Sequence, residues 1–377
     1  MVACDNYDRA NVEQSIEKAI NLLGGISQFI RPGMKVLIKP NLCLAEPPDK
    51  CLTTHPEIIR KIALMSSQAG AEVIVGDNPV GDADRSRLNA IWERTGVASV
   101  LEGVPYERSF LDSSMIAFSS SINGKDYSFY ISEDILSLDL IINIPKFKTH
   151  SLMNYTGAVK NLYGLLPGNS KRKLHSELPV QEDFAALLTD IYKLVSPRLN
   201  IMDAVIGIEG DGPGVQGTKR KIGLILASDD GIALDSVATR LMNLDPEAVH
   251  TNRIGGEKGL GEVDENNIEI LGECLEQYVM RDFKHPMTFR FSADITHKLF
   301  SLSGVSVRIN RDECKACGLC IKNCPAGSIQ IKDKTAVIDG KTCISCMTCH
   351  EICPEGAVST GRSTFYTQLK SLRNKKK

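Results

Sequence analysis

MKVLIKPNLCLAEPPDKCLTTHPEIIRKIALMSSQAGAEVIVGD, residues 34–77, decides the fold class. Residues 34–40 are a short apolar run closed by Pro40, and residues 71–77 are another, ending at Asp77. Between them, Thr54 and Glu57 have the spacing of a capping box and Pro56 suits a first helical turn. Ile58, Ile59, Ile62 and Ala63 then recur on one helical face, and Gly70 supplies a stop. A strand, a helix and a second strand in this order are the pattern of a right-handed βαβ unit.

Similar apolar runs at 138–144 (LDLIINI), 199–206 (LNIMDAVI), 222–228 (IGLILAS) and 267–271 (NIEIL) predict further strands. Helical periodicity lies between some of them, at 181–195 and 229–243. Residues 115–131 read as two strands around Asn123-Gly124, the signature of a hairpin with a type I′ turn. The expectation is an α/β domain over residues 1–275, with a largely parallel sheet flanked by helices and a hairpin insertion near 115–131. A packed connector (276–306), a small α+β cysteine-rich module (307–361) and a basic tail (362–377) complete the division.

The composition excludes several classes. Of 377 residues, 42% are apolar and 24% charged, as in an ordinary globular chain. The net charge of −2 gives no global field for nucleic acid. No run approaches the roughly 18 apolar residues of a membrane span. The N-terminus has no basic segment followed by an apolar one, so the expected compartment is the cytoplasm. The tail, RSTFYTQLKSLRNKKK, carries six basic residues and no acid, and reads as a solvated helix or a docking segment.

Eight of the twelve cysteines fall between Cys314 and Cys353; the others are Cys4, Cys43, Cys51 and Cys274. Cys314-x2-Cys317-x2-Cys320-x3-Cys324-Pro325 is repeated as Cys343-x2-Cys346-x2-Cys349-x3-Cys353-Pro354. Three close thiolates let one loop wrap three corners of a cubane, and the fourth arrives from the other run. The spacing therefore predicts two [4Fe–4S] clusters, one on Cys314, Cys317, Cys320 and Cys353, the other on Cys343, Cys346, Cys349 and Cys324. Structural zinc favours separated CxxC pairs or mixed Cys and His, which this pattern is not. The region resembles two-cluster bacterial ferredoxins, although residues 308–361 balance seven Lys and Arg against six Asp and Glu rather than being acidic.

In open α/β sheets, ligands bind beyond the carboxyl ends of the strands. Here those ends are polar: Lys39 and Asn41, Asp77-Asn78, Asn143, Asp203 and Asp229-Asp230. Residues 145–168, PKFKTHSLMNYTGAVKNLYGLLPG, hold Lys146, Lys148, His150, Lys160 and Asn161 without one acid. Ammonium groups among amides and hydroxyls suit a carboxylate or phosphate. Lys39, Asn41, Lys146, Lys148, Lys160 and Asn161 are thus candidate ligands of a small anionic substrate, with His150 as a proton donor and Asp203 as a catalytic positioning group. His175 reads as a surface histidine. Asp203, Glu209, Asp211 and Asp235 could hold a hard cation, separate solvated acids being the plainer reading. Cys43, Cys51 and His55 could hold a metal, on spacing that is not diagnostic. Gly212-x-Gly214-x-x-Gly217 matches a dinucleotide fingerprint formally, but a strand rather than a helix follows it, which argues against NAD.

VLIKPNL, TTHPE, NIPKFKTH, GAVKNLYGLLPG and DSVATRLMNLDP, joined to the double cysteine run, resemble the domain-of-unknown-function family numbered 362, whose members are often labelled iron–sulfur centre proteins. The resemblance covers almost the whole chain and implies an α/β domain with an appended ferredoxin domain, mostly in anaerobes. It implies no particular reaction. Two expectations follow: an oxidoreductase in which the clusters pass electrons to an anionic substrate or cofactor, and an electron carrier or accessory factor that docks a redox protein.

Overall fold

The computed structural model describes residues 1–79, 85–287 and 305–362. In chain order the strands of the first 230 residues are β1 (Val2–Ala3), β2 (Lys35–Pro40), β3 (Glu72–Gly76), β4 (Glu107–Ser109), β5 (Met115–Ile122) and β6 (Lys125–Ser132). They continue with β7 (Leu140–Ile144), β8 (Lys146–His150), β9 (Asn154–Thr156), β10 (Leu199–Glu209) and β11 (Thr218–Ser228). One sheet runs β1-β11-β10-β7-β2-β3-β4, with β8 paired to β10 and to β9. Pairing is parallel from β10 through β7, β2 and β3 to β4, and antiparallel at the β1-β11-β10 edge and between β8 and β9. The result is the expected α/β architecture with a largely parallel sheet.

Alternation along the strands builds a core on each face. Val36 and Ile38 of β2 join Ile16, Ile20, Ile58 and Ile62 of the helices Arg9–Leu22 and Pro56–Gln68. Leu37, between them, joins Phe184, Leu187, Leu188 and Ile191 of the helix Gln181–Val195 on the opposite face. The helix Gly231–Leu241 covers β10 and β11 through Leu234 and Ala238. β5 and β6 form a separate hairpin, and Asn123 and Gly124 both have positive φ (52° and 75°), as a type I′ turn requires.

Two local expectations are corrected. The helix after β2 is capped by His55, whose Nδ1 accepts from Glu57 N, and not by Thr54. Thr54 Oγ1 instead bonds Ile144 O and Asn41 N, tying β2 to β7. Residues 267–271 form no strand: Ile268 and Ile270 pack onto the core beside β11 without ladder pairing. Residues 146–150 are β8.

The cysteine-rich module has β12 (Val305–Ile309) paired to β15 (Val358–Arg362), β13 (Ile329–Lys332) paired to β14 (Thr335–Ile338), and short helices at Leu319–Lys322 and Thr348–Ile352. The pseudo-symmetric strand and helix pairs follow from the repeated cysteine run. The basic tail beyond Arg362 and residues 288–304 of the connector lie outside the described residues.

Candidate functional site

β8 positions the residues that matter most. A period of two puts Lys146, Lys148 and His150 on one side of the strand and Phe147 and Thr149 on the other. Phe147 packs edge-on to Tyr155 and Phe283. The polar side looks onto the carboxyl ends of β2, β7 and β10.

The four ammonium groups of this edge do not act as a set. Lys146 is fully buried beside Asp203, its register partner on β10; its Nζ donates to Asp203 Oδ2 (2.8 Å) and Tyr7 Oη (2.7 Å). Asp203 also accepts from Tyr7 Oη and His55 N. Lys148 Nζ donates to Asn41 Oδ1 (2.7 Å) and Leu52 O (2.8 Å) and lies 3.3 Å from Cys43 Sγ. Lys39 Nζ is 2.7 Å from Asp77 Oδ1 and bonds Pro40 O. Only Lys160 differs. It is half-buried and makes no hydrogen bond or ion pair among the described residues. Burial lowers its pKa, opposed by the nearby Glu351 carboxylate and reinforced by Lys148.

Asn41, Asn161, Asn143 and Asn200 form a chain of amides across the strand ends. Asn161 Nδ2 also reaches Lys39 O, and Asn143 Nδ2 reaches Ala158 O. Each amide has complementary partners, as buried polar groups require.

His150 is fully buried. Its Nδ1 accepts from Leu152 N (3.0 Å) and Met153 N (3.2 Å), so the ring proton sits on Nε2, which lies 2.8 Å from Glu351 Oε1. Burial, with Lys160 and Lys148 nearby, pushes its pKa down to about 4 against the pull of Glu351, so the ring is neutral near pH 7. Glu351 is on the helix Thr348–Ile352, between Cys349 and Cys353. Burial would raise its pKa, but His150, Lys160 and His175 hold it well below the ordinary carboxylate range.

Nothing in the sequence marked Glu351, Tyr7 or Lys171 as site residues. Glu351 is one residue in a cysteine run, and Tyr7 is 196 positions from the aspartate it serves. Lys171 is buried against Asn78 O and Pro79 O, and burial lowers its pKa to about 7 despite Asp77. His175, expected at the surface, is buried between Tyr163 and Phe184.

The acidic quartet does not converge. Asp235 is buried and accepts from Ala158 N (2.7 Å) and Val159 N (3.1 Å). Glu209 faces Arg220 and Lys284, and Asp211 accepts from Met287 N. Cys43 donates to Leu52 O, and His55 is turned to its cap and stacked on Tyr7. No group of three or more His, Cys, Asp or Glu among the described residues is close enough to hold a single metal ion.

The glycine-rich loop 210–217 is a clasp between the two parts of the chain. A Cβ on Gly212 would lie 2.5 Å from Thr149 O, and one on Gly214 would crowd the carbonyls of His350 and Glu351. Gln216 Nε2 donates to Val358 O (2.8 Å) of the cysteine module. These glycines therefore serve close backbone packing.

The cysteines fall into two cavities. Cys314, Cys317, Cys320 and Cys353 line one with apolar side chains such as Ile309 and Leu319. Cys324, Cys343, Cys346 and Cys349 line the other with Val307, Ile329 and Met347. Backbone amides point at the sulfurs: Ala336 N donates to Cys314 Sγ and Ser328 N to Cys324 Sγ. All twelve cysteines are free thiols. Four thiols around an apolar cavity, spread wider than the ligands of one ion, fit the corners of a cubane.

Residues 36–240 match the family described as a domain of unknown function (DUF362), and residues 306–354 match the 4Fe-4S dicluster domain. The chain belongs to the DUF362 family. A relative is the thylakoid-associated protein sll1697 of Synechocystis, 30% identical over 256 residues, which are 67% of this chain and 76% of that protein. Among solved structures, the lactate racemase apoprotein of Thermoanaerobacterium thermosaccharolyticum is 14% identical, with a TM-score of 0.37, covering 58% of this chain and 52% of its own. A Thermotoga maritima protein is 10% identical, with a TM-score of 0.39, covering 61% and 57%. This DUF362 chain thus spans little more than half the length of those two. Its second matched domain makes it an iron–sulfur protein, and no helix among its described residues is long and apolar enough to cross a membrane.

Proposed function

We propose that this DUF362 protein binds two [4Fe–4S] clusters and passes electrons to a small anionic substrate or cofactor at the carboxyl edge of the α/β sheet. One observation carries the reading: the helix that bears Cys349 also bears Glu351, whose carboxylate meets His150 of β8 near the unpartnered Lys160. The clusters supply one-electron chemistry. The chain's own residues supply the rest. Lys160 attracts the anion, Lys148 fixes Asn41 and Leu52 behind it, and the neutral His150 holds its proton on Nε2. Lys39, Lys146 and Asp203 shape this edge as internally neutralised pairs, and Asn41 and Asn161 do so as amide partners.

The cytoplasm is the compartment we propose, because cluster ligands must stay reduced. A second reading, a carrier or accessory factor that docks a redox protein, is favoured by one fact: three of the four lysines at this edge are already taken by internal partners. The test is anaerobic purification, iron counting, reduction, and absorbance-monitored reoxidation by pooled small metabolites, with Lys160→Met alongside. Fast reoxidation by one pool, lost in the variant, supports the enzyme. Slow reoxidation by every pool, equal in both proteins, turns the search to protein partners.

A further inference from the structure

The two cysteine cavities have the same ligand spacing and unlike surroundings. In the first run the loop is open: Lys315 and Cys317 are exposed, and both line the Cys314 cavity. In the second run the equivalent loop is covered. Met347 is 2% exposed and packs in the same apolar cluster as Tyr163 and Phe184 of the α/β domain. Thr348, Cys349, His350, Glu351 and Ile352 are all buried. Tyr163 in that cluster stands edge-on to Phe184 and to His175. The helix Thr348–Ile352 therefore puts Thr348 and Cys349 on the Cys324 cavity and Glu351 on His150 of β8, whereas the Cys314 cavity keeps a face on solvent.

We propose that the two cavities are ordered: an external one-electron donor docks at the Cys317 edge, and the Cys324, Cys343, Cys346, Cys349 cavity is the exit, facing the Lys160 anion site through Met347, Glu351 and Tyr163. This rests on the reading given under Proposed function. At the entry edge the donor loses one electron and no bond is made or broken. At the exit the acceptor held by Lys160 gains it. A two-electron acceptor empties both cavities in turn. Electron tunnelling and electrostatic coupling both fall with distance, so the covered wall must carry the exchange with the site and the open loop the exchange with the donor.

Potentials read the order without any turnover. In the intact, anaerobically reconstituted chain, EPR-monitored redox titration should give two midpoints. Lys160→Met removes a positive charge beside the exit cavity and should lower one midpoint only. Lys315→Met, at low ionic strength, should lower the other by a smaller amount, since exposed charges are screened. Cys317→Ala should leave a single cubane whose midpoint still responds to Lys160→Met. That protein should also accept electrons from a reduced bacterial ferredoxin, the probe donor, more slowly than the intact chain. If the Cys317→Ala chain does not fold, the intact-chain pair of variants decides alone. An equal response of both midpoints to Lys160→Met, or a response of the same midpoint to Lys160→Met and Lys315→Met, overturns the order. So does an unchanged reduction rate in a folded Cys317→Ala chain. Failure of clusters to assemble would sink the parent reading, whereas two assembled clusters with the wrong response sink only the order.

Discussion

Two buried carboxylates at the same sheet edge meet very different fates. Asp203 is closed off inside the α/β domain by Lys146, Tyr7 and His55 N, all within 2.9 Å. Glu351 comes from the cysteine module and meets a neutral histidine, with an unpartnered ammonium nearby. The first arrangement is complete and has no capacity for a ligand. The second leaves a cation with unused donors at a seam between two parts of the chain. Charge at a strand end is thus no guide to function until its partners are counted. The closed pair should govern stability and the open one should govern binding.

The largest effect should come from breaking the closed pair. Lys146→Met leaves the Asp203 carboxylate buried without its cation, and the loss of one partner from a buried pair costs about 3–5 kcal/mol. Denaturant unfolding of the full chain reads this directly; a loss below about 1 kcal/mol, the range of an exposed pair, would break the comparison. Asn161→Ala comes next. It leaves Asn41 Nδ2 and Asn143 Oδ1 short of a partner, at about 1–3 kcal/mol for each unsatisfied group. A second substitution, Asn143→Ala, should add less than its own single cost, because the two amides share one bond.

The architecture and the grouping of the eight clustered cysteines were legible because both are written as local periods. The βαβ unit shows in residues 34–77, and the cysteine spacing anticipates the grouping into two cavities, with Cys324 and Cys353 exchanged between them. The carboxyl-edge residues were legible as a list and not as an arrangement. Lys146, Lys148 and Lys160 look alike in sequence, yet their partners come from residues 7, 41, 52 and 203. Ile268 and Ile270 alternate like a strand because they face a core, and the pattern cannot reveal that they join no ladder. His175 follows KRK in a polar stretch, and only the packing of Tyr163 and Phe184 around it buries it.

That burial makes a pH prediction. Burial pushes the His175 pKa down to about 4, against an unfolded value near 6.5. A histidine depressed in the folded state costs nothing above its unfolded pKa. As pH falls through 6.5 toward 4, the unfolded chain takes up the proton first and stability drops. At pH 5 the loss from this group is about 2 kcal/mol, from 1.5 pH units below 6.5. His175→Phe keeps a ring against Phe184 and should remove that share of the fall between pH 7 and pH 5, measured by urea unfolding. An identical pH dependence in both proteins would place the acid sensitivity elsewhere.

The smallest effect on stability should belong to the residue on which function depends most. Lys160→Met deletes an ammonium that no protein group holds and keeps the apolar stem, so unfolding free energy should change by about 0.5 kcal/mol or less. Burial and Lys148 disfavour the Lys160 charge more than the nearby Glu351 carboxylate favours it, so the small change should be toward greater stability. Anion binding should respond in the opposite proportion. A ligand such as phosphate or a small dicarboxylate, followed by calorimetry, should lose about tenfold or more in affinity, since a charge-assisted hydrogen bond contributes about 1.5–3 kcal/mol and each 1.4 is a factor of ten. Lys146→Met should weaken the same ligand only as far as it destabilises the chain. Equal affinity losses in the two variants at a temperature where both are folded would mean that the sheet edge binds through its net positive charge, and the distinction between a closed pair and an open one would fall with it.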